Sequence, residues 1–420
     1  MSAHIPTKAL LLAIQADPTS AIAIIRHLNP DMVCFFLHES HKDVVGSQIP
    51  PALSRMPQRW DWIFTPSPES FSACHKALAH DLGPLLTTWN VMPGELVMDV
   101  TSATVGMASA MVLAGFPYCT KVLLFPGHPL SSADQPAEEI TKRLSQSEAS
   151  ANPWDEEAPR LRREACYHFN HGSYDAAVKA FQTLEHRISG GLKPFYRALA
   201  DVAQAYGLWD QLLYRAAWEK LKGGVKALEL ASVWGSPPGM DRLIHVLKDN
   251  LTCLERIVLD SKDIKPAVPL DLLAWAKRHG DRGRDLEAAT HVLLRALEGF
   301  AQTRLFTHYH LKSWDVNLEQ LPEDLRDTCR RQYLNEIDGK YCLPLQAQFQ
   351  ALAGLGDPMG QRFVTDWPKM KSLFDAADHA LLGYGFEPIK PERFHQLYEL
   401  VTKLSGVTPT DLPEFPSLNV

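Results

Sequence analysis

The chain has no apolar run approaching the roughly 18 residues that a membrane span requires. Its N-terminal apolar stretch is only about seven residues long, with no basic segment before it and no small-residue cleavage site after it, so it reads as a first strand rather than a signal peptide. There is no surplus of positive charge. Lys and Arg number 42 against 49 Asp and Glu, a formal net charge of −7. That excludes a surface built throughout for nucleic acid, but leaves room for a local basic patch. There is no C-x-x-C pair. The cysteines (Cys34, Cys74, Cys119, Cys166, Cys253, Cys329 and Cys342) are odd in number and scattered. A disulfide framework and a cysteine zinc site are thereby excluded, and reduced thiols in a cytoplasmic protein are expected. What remains is an ordinary globular balance, 45% hydrophobic and 22% charged over 420 residues. That is enough chain for two to three domains.

The first ~125 residues alternate short aliphatic runs with helical spacing. Strands are expected at residues 8–14 (KALLLAI), 32–37 (MVCFFL), 62–65, 95–100 (ELVMDV) and 121–125 (KVLLF), with helices at 20–27, 67–86 and 104–114. Runs this apolar are buried on both faces, and strand–helix alternation implies a mainly parallel, Rossmann-like sheet. Ligands of such sheets sit at the carboxyl ends of the strands. Residues 127–156, rich in Pro, Ser and charge, read as a linker. Beyond it helical periodicity takes over: 170–184, with Ser173 as N-cap, then 206–221, 243–259, 270–278, 286–305, 345–355, 370–382 and 391–404. The helical-hairpin spacing of 170–184 is one unit, too few for a solenoid. The tryptophans, including Trp209, Trp218, Trp234 and Trp275, read mostly as core or helix-interface residues, with only an exposed subset able to stack on bases. The fold class is therefore α/β plus all-α, a Rossmann-like parallel sheet followed by a helical bundle.

Two strand-to-helix turns carry the most chemistry. Residues 99–107, DVTSATVGM, would bring backbone N–H groups and a helix N-terminus together with the hydroxyls of Thr101, Ser102 and Thr104. Such a turn suits phosphate, although an ordinary cap has the same composition. Gly106 and Ala110 would let that helix pack closely. At the first turn, Asp17 caps, Pro18 takes the first helical position, and Gln15 faces the same crevice. The second strand runs into His38, Glu39, Ser40 and His41. These line the crevice mouth rather than hold a metal, since they lack the spacing of a helical zinc motif. His168/His171 and His308/His310 are equally weak as metal sites.

This order of strands and polar turns resembles the CARF family, the CRISPR-associated Rossmann-fold sensors of cyclic oligoadenylate in type III CRISPR immunity. The likeness covers residues 6–126. The family's D-x-T-G-G-T-K-x-M signature is met by Asp99, Thr101, Thr104 and Met107, while Ser102 and Ala103 replace the glycine pair and Val105 the lysine. The resemblance implies a ligand site of Gln15, Asp17, Pro18, Thr19, His38, Glu39, Ser40, Asp99, Thr101, Ser102, Ala103, Thr104 and Met107. It also implies a homodimer, no cofactor beyond cyclic oligoadenylate and no metal.

The helical half resembles the HEPN-like effector of one CARF subfamily through residues 205–221, 271–283 and 292–305. Such effectors are metal-independent ribonucleases with an R-x4–6-H motif. On the subfamily's R-N-x-S-x-L-A-H-G pattern, residues 377–385 put Ala377 at the arginine and Tyr384 at the histidine. Arg284 with His291 and Arg304 with His310 match the spacing only loosely. His291, Arg295, Glu298 and Gln302 fall on one face of a helix, opposite Leu286, Leu293, Leu297 and Phe300. That face is either solvated or, with Arg278 and His279, a polar groove for RNA phosphate, a nucleotide or a partner. Arg278, Arg282, Arg284, Arg295 and Arg304 form a local cationic set.

The expected layout is a CARF-like sensor over 1–126, a linker over 127–156, a helical connecting region over 157–230 and a HEPN-like effector over 231–420. The expected function is a cyclic-oligoadenylate-activated ribonuclease acting on single-stranded RNA, with Arg278, His279 and Arg295 as its catalytic set. Two alternatives stay open. One is a catalytically degenerate sensor that works through partner binding or regulation. The other is an unrelated nucleotide-binding α/β protein.

Overall fold

The computed structural model describes residues 7–124, 150–232, 239–260, 264–283 and 285–419. Most of the expected linker, Arg284 and Trp234 therefore lie outside the described residues. These divide into two compact units. One carries the N-terminal sheet together with residues 177–200. The other carries 166–176, 201–230 and the helices beyond 239.

The sheet is built from β1 (Ala9–Ile14), β2 (Met32–Leu37), β3 (Arg59–Phe64), β4 (Leu96–Asp99), β5 (Cys119–Leu123) and β6 (Ser150–Ala151). Their spatial order is β3-β2-β1-β4-β5-β6. The first five run parallel and β6 pairs antiparallel with β5. Every residue of β1 and β2 is buried, because alternate side chains serve opposite faces. Leu10, Leu12, Val33 and Phe35 pack with Ile24, Ile25, Val45 and Ile49 from α1 (Thr19–Leu28) and α2 (Lys42–Ala52). Leu11, Ala13, Cys34 and Phe36 pack with Leu78, Leu82, Met107 and Ala110 from α3 (Phe71–Thr88) and α4 (Val105–Gly115).

The parallel α/β expectation holds, with shifted boundaries. The strand expected at 62–65 is β3, and the one expected at 121–125 is β5. The helix expected from residue 67 begins at Phe71, because the Ser70 side chain caps it by accepting the Ala73 N–H. Helix α2 was not expected at all. Pro50 and Pro51 sit in its last turn.

The next helices are α5 (Pro153–Asn170), α6 (Tyr174–Arg187), α7 (Lys193–Asp210) and α8 (Tyr214–Ser232). A single helix over 206–221 is wrong. The chain turns at 211–213, where Leu212 takes φ 61°, a left-handed conformation that leucine rarely adopts. The helices α9 (Met240–Val258), α10 (Ala267–Asp281), α11 (Leu286–Tyr309), α12 (Glu323–Gln332), α13 (Leu345–Gly354), α14 (Pro358–Asp378) and α15 (Pro391–Ser405) complete the chain, with a small hairpin, β7 (Leu334–Asn335) and β8 (Lys340–Tyr341). The helix expected at 370–382 is the C-terminal part of α14, which ends at Asp378. One core joins Leu272 and Leu273 of α10, Leu293 and Leu297 of α11, Phe349 of α13, Phe363 of α14 and Phe394 of α15. The apolar face expected on α11 is therefore buried.

Candidate functional site

In the sheet order, the strand sequence reverses between β1 and β4. Connections leave such a point in opposite directions and open a crevice at the carboxyl ends of the strands. Leu12 pairs with Asp99 and Ile14 with Leu37. The turns after β1, β2 and β4 therefore emerge side by side. Gln15 spans the first and last of them, its Nε2 donating to the Ser102 carbonyl at 2.9 Å. The sequence-predicted residues Gln15, Ser102, Thr101, Asp17 and His38 are thus brought to one mouth.

Local bonds shape each turn. The Asp17 carboxylate accepts the Thr19 N–H at 2.9 Å and its hydroxyl at 2.6 Å. Helix α1 begins at Thr19, so Pro18 occupies the cap position and not the first helical one. His38 Nδ1 accepts the Ser40 N–H at 3.2 Å and lies 2.8 Å from its hydroxyl, while Glu39 and Ser40 face solvent.

Asp99 is 1% exposed. Its Oδ1 accepts the Thr101 hydroxyl at 2.6 Å and the Thr101 N–H at 3.2 Å. Burial pushes its carboxyl up to about 6, against the pull of those two bonds. Thr104 caps α4 by accepting the Met107 N–H at 3.1 Å and donates its own hydroxyl to the Pro68 carbonyl. Gly106 lies so close to the same segment that a Cβ there would stand 2.6 Å from the Glu69 carbonyl oxygen. Met107 is fully buried in the core below the turn. Ser102 and Ala103 are half-buried at the mouth, and Val105, in the place of the family's lysine, is 83% exposed.

The helical half contains two sites that do not coincide. At the end of α10, His279 stacks on Trp275 with ring centroids 3.7 Å apart and approaches Asp210 at 3.1 Å. Arg278 Nη2 lies 3.7 Å from the same carboxylate. Trp209 donates to Asp271 at 2.9 Å. Burial pushes the Asp271 carboxyl up and the Arg278 guanidinium down, each opposed by the other's charge. Arg295 is not brought to this cluster. It bonds to Glu298 and Gln302 along its own helix, and Gln348 of α13 donates to Glu298. Arg304 is paired with Asp357, which also accepts from Tyr309.

The stretch expected to hold the ribonuclease pair is a tight turn after α14. Ala377 is fully buried and Tyr384 is 94% exposed. The Tyr384 N–H reaches the Asp378 carbonyl at 2.6 Å. A Cβ on Gly385 would lie 2.1 Å from the His379 carbonyl oxygen, and one on Gly383 2.5 Å from that of Ala377. Glu287, which sequence reasoning missed, holds this turn from α11. Its carboxylate accepts the Ile389 N–H at 2.7 Å and that of Leu382 at 3.5 Å. An acidic residue in a helix's first turn is legible as a dipole partner; its distant amides are not. Among the described residues no three His, Cys, Asp or Glu side chains gather as a metal set.

Comparison with known proteins adds to this geometry. Residues 158–254 match the family model of the Csm6 6H domain, and residues 261–407 that of the Csm6 HEPN domain. Among solved structures, Enterococcus italicus Csm6 bound to cyclic hexa-2'-fluoro-hexa-dAMP is similar at a TM-score of 0.57 and 14% identity, over 96% of both chains. Among curated proteins none matches.

Proposed function

The chain belongs to the CARF plus HEPN proteins of type III CRISPR systems, and from that premise we propose that it is a cyclic-oligoadenylate sensor whose helical half has lost the usual ribonuclease pair and acts by binding or regulating a partner. No helix among the described residues is long and apolar enough to cross a membrane. The Enterococcus italicus relative is described with a cyclic oligoadenylate analogue, and the same class of ligand is proposed here for the mouth between β1 and β4. Backbone N–H groups at the start of α4, the hydroxyls of Thr101 and Ser102, the Gln15 amide and the His38 ring meet the ring's phosphates and bases. No metal or further cofactor takes part. Two copies complete the site, and the exposed Val112 and Leu113 on α4 supply apolar surface for that pairing. The proposed layout keeps the sensor at 1–126, the linker at 127–156, a connecting region at 157–230 and the effector at 231–420, in the cytoplasm.

The observation that carries the reading of the helical half is the turn after α14. General acid–base cleavage of RNA needs groups that move a proton and stabilise the phosphorane. A buried Ala377 and an exposed Tyr384 offer no cation at either motif position. His279 is turned to Asp210, Arg278 lies against the Phe415 ring, and Arg295 is engaged on its own helix.

The test is incubation of the purified protein with labelled single-stranded RNA, with and without cyclic tetra- or hexa-adenylate, beside calorimetry. Binding without cleavage is the expected result. Ligand-dependent cleavage lost in Arg278→Ala or Arg295→Ala would overturn it in favour of a ligand-activated ribonuclease. Thr101→Ala weakens ligand binding by about 1 kcal/mol if its hydroxyl meets phosphate.

A further inference from the structure

The helical half holds a polar feature that the sensor reading does not use. The three side-chain nitrogens of Arg278 are sealed from solvent, yet none has a hydrogen-bond partner. Its guanidinium lies 3.7 Å over the Phe415 ring and 3.7 Å from the nearest Asp210 oxygen. A buried cation with unfilled donors is costly, because its hydration has been removed and nothing has replaced it.

Beside it opens a cavity of about 280 Å³, near the lower end of the volumes that small-molecule sites occupy. Lys277 and Arg282 line it together with Arg278, so three cations converge from the end of one helix. The aromatic residues Tyr174 and Phe415 form another wall. Asp281 and Glu414 stand on the lining as acceptors. The roof is segment 409–417, a short 3-10 turn over Pro409–Asp411 followed by irregular chain. Asn250 donates to the Glu414 carbonyl at 2.8 Å, and Asn170 exchanges two hydrogen bonds with the backbone of Leu418.

We propose that this cavity is a second ligand site, distinct from the mouth between β1 and β4, and that it takes the phosphate and base of a single nucleotide. Each wall matches one part of such a molecule. The Arg278 donors have neither a partner nor solvent contact, so a phosphate engages them by drawing the guanidinium off the Phe415 ring, and the flanking Lys277 and Arg282 add charge. The Phe415 face that the guanidinium then leaves is a stacking surface for a base. The two carboxylates accept from ribose hydroxyls. The nucleotide is either free or the terminal residue of an RNA strand; the recognised chemistry is the same. Because segment 409–417 roofs the cavity, occupancy also fixes that segment in place.

The test uses the full-length protein and calorimetry with adenosine 5′-monophosphate, a 5′-phosphorylated trinucleotide and the same trinucleotide without phosphate. Saturable binding of either phosphorylated ligand, with a dissociation constant below about 1 mM, is expected. Binding of the monophosphate points to a free nucleotide, and binding of the trinucleotide alone to a strand end. The double variant Lys277→Gln/Arg282→Gln should weaken binding at least about tenfold with an unchanged melting temperature. Arg278→Lys keeps the charge but loses the fork and should weaken it likewise; if it fails to fold, the double variant carries the test. Thr101→Ala should leave this binding intact while weakening that of cyclic oligoadenylate, which separates failure of the two sites. Absence of binding to the folded wild-type protein, equal binding of the unphosphorylated trinucleotide, or unchanged affinity in the double variant overturns the proposal.

Discussion

The turn after β4 and the turn after α14 are built alike and equipped differently. Each follows a well-packed element, and each needs glycine because its backbone runs against a neighbouring carbonyl, at Gly106 in one and at Gly383 and Gly385 in the other. After β4 the polar groups are in place. Asp99 shapes the turn through Thr101, Thr104 caps α4, and Gln15 ties it to the next turn. After α14 the frame is present without such groups, with Ala377 and Tyr384 at the two positions that the sequence resemblance assigns to the ribonuclease pair. Backbone proximity and side-chain reactivity are thus separate demands on a sequence. A motif can satisfy the first and abandon the second.

Paired glycine substitutions break this comparison most sharply. Gly106→Ala and Gly385→Ala each force a Cβ into backbone and should cost about 2–3 kcal/mol in urea unfolding. Only Gly106→Ala should also remove ligand binding in calorimetry. A Gly385→Ala protein as stable as wild type would mean that the second turn is not tightly framed.

Asp99 gives an effect of similar size with a pH signature. Its folded-state pKa is raised from 3.8 to about 6. Below pH 3.8 the carboxyl is neutral in both folded and unfolded chains, and burial carries no charge penalty. As pH rises through the window up to about 6, the unfolded state ionises first and folding loses stability. Above about 6 the full cost, up to about 3 kcal/mol, is present. Asp99→Asn should therefore stabilise the fold at pH 7.5 and not at pH 3.5, less whatever the two Thr101 bonds lose. Equal stability differences at both pH values would show that Asp99 is solvated.

Smaller effects sharpen the contrast. Gln15→Ala removes the bond to Ser102 and should cost about 1 kcal/mol in chemical denaturation. Tyr384→Ala, at a site 94% exposed, should change stability by less than about 0.5 kcal/mol. The first result would show that the sensor turns hold each other, and the second that the rim of the other turn holds nothing within its own chain.

The sheet was legible because β1 and β2 are apolar on both faces and alternate with helical segments, as a covered parallel sheet requires. Helix α2 was not, since its two prolines come at the end, where they do little harm. The turn at 211–213 escaped because leucine, and not glycine, takes the left-handed conformation. The β7–β8 hairpin left a signal that went unread, the Asp338-Gly339 pair. At the sensor mouth, residues within one turn of a strand end were readable from their types. The engagement of Thr104 with Pro68, 36 residues away, was not, because local spacing carries no information about it. The same is true of Glu287, and of segment 409–417, which has no periodicity to betray it.

Glu287 has one more consequence. A single carboxylate on α11, with two glycines that fit only one way, fixes the shape of the turn after α14 from outside. Leu381, Leu382, Tyr384 and Phe386 project from it, 54%, 62%, 94% and 92% exposed. Their identities are therefore uncoupled from folding. Such a rim can be rewritten by mutation, residue by residue, without passing through an unfolded intermediate sequence, which leaves this turn free to acquire new partners.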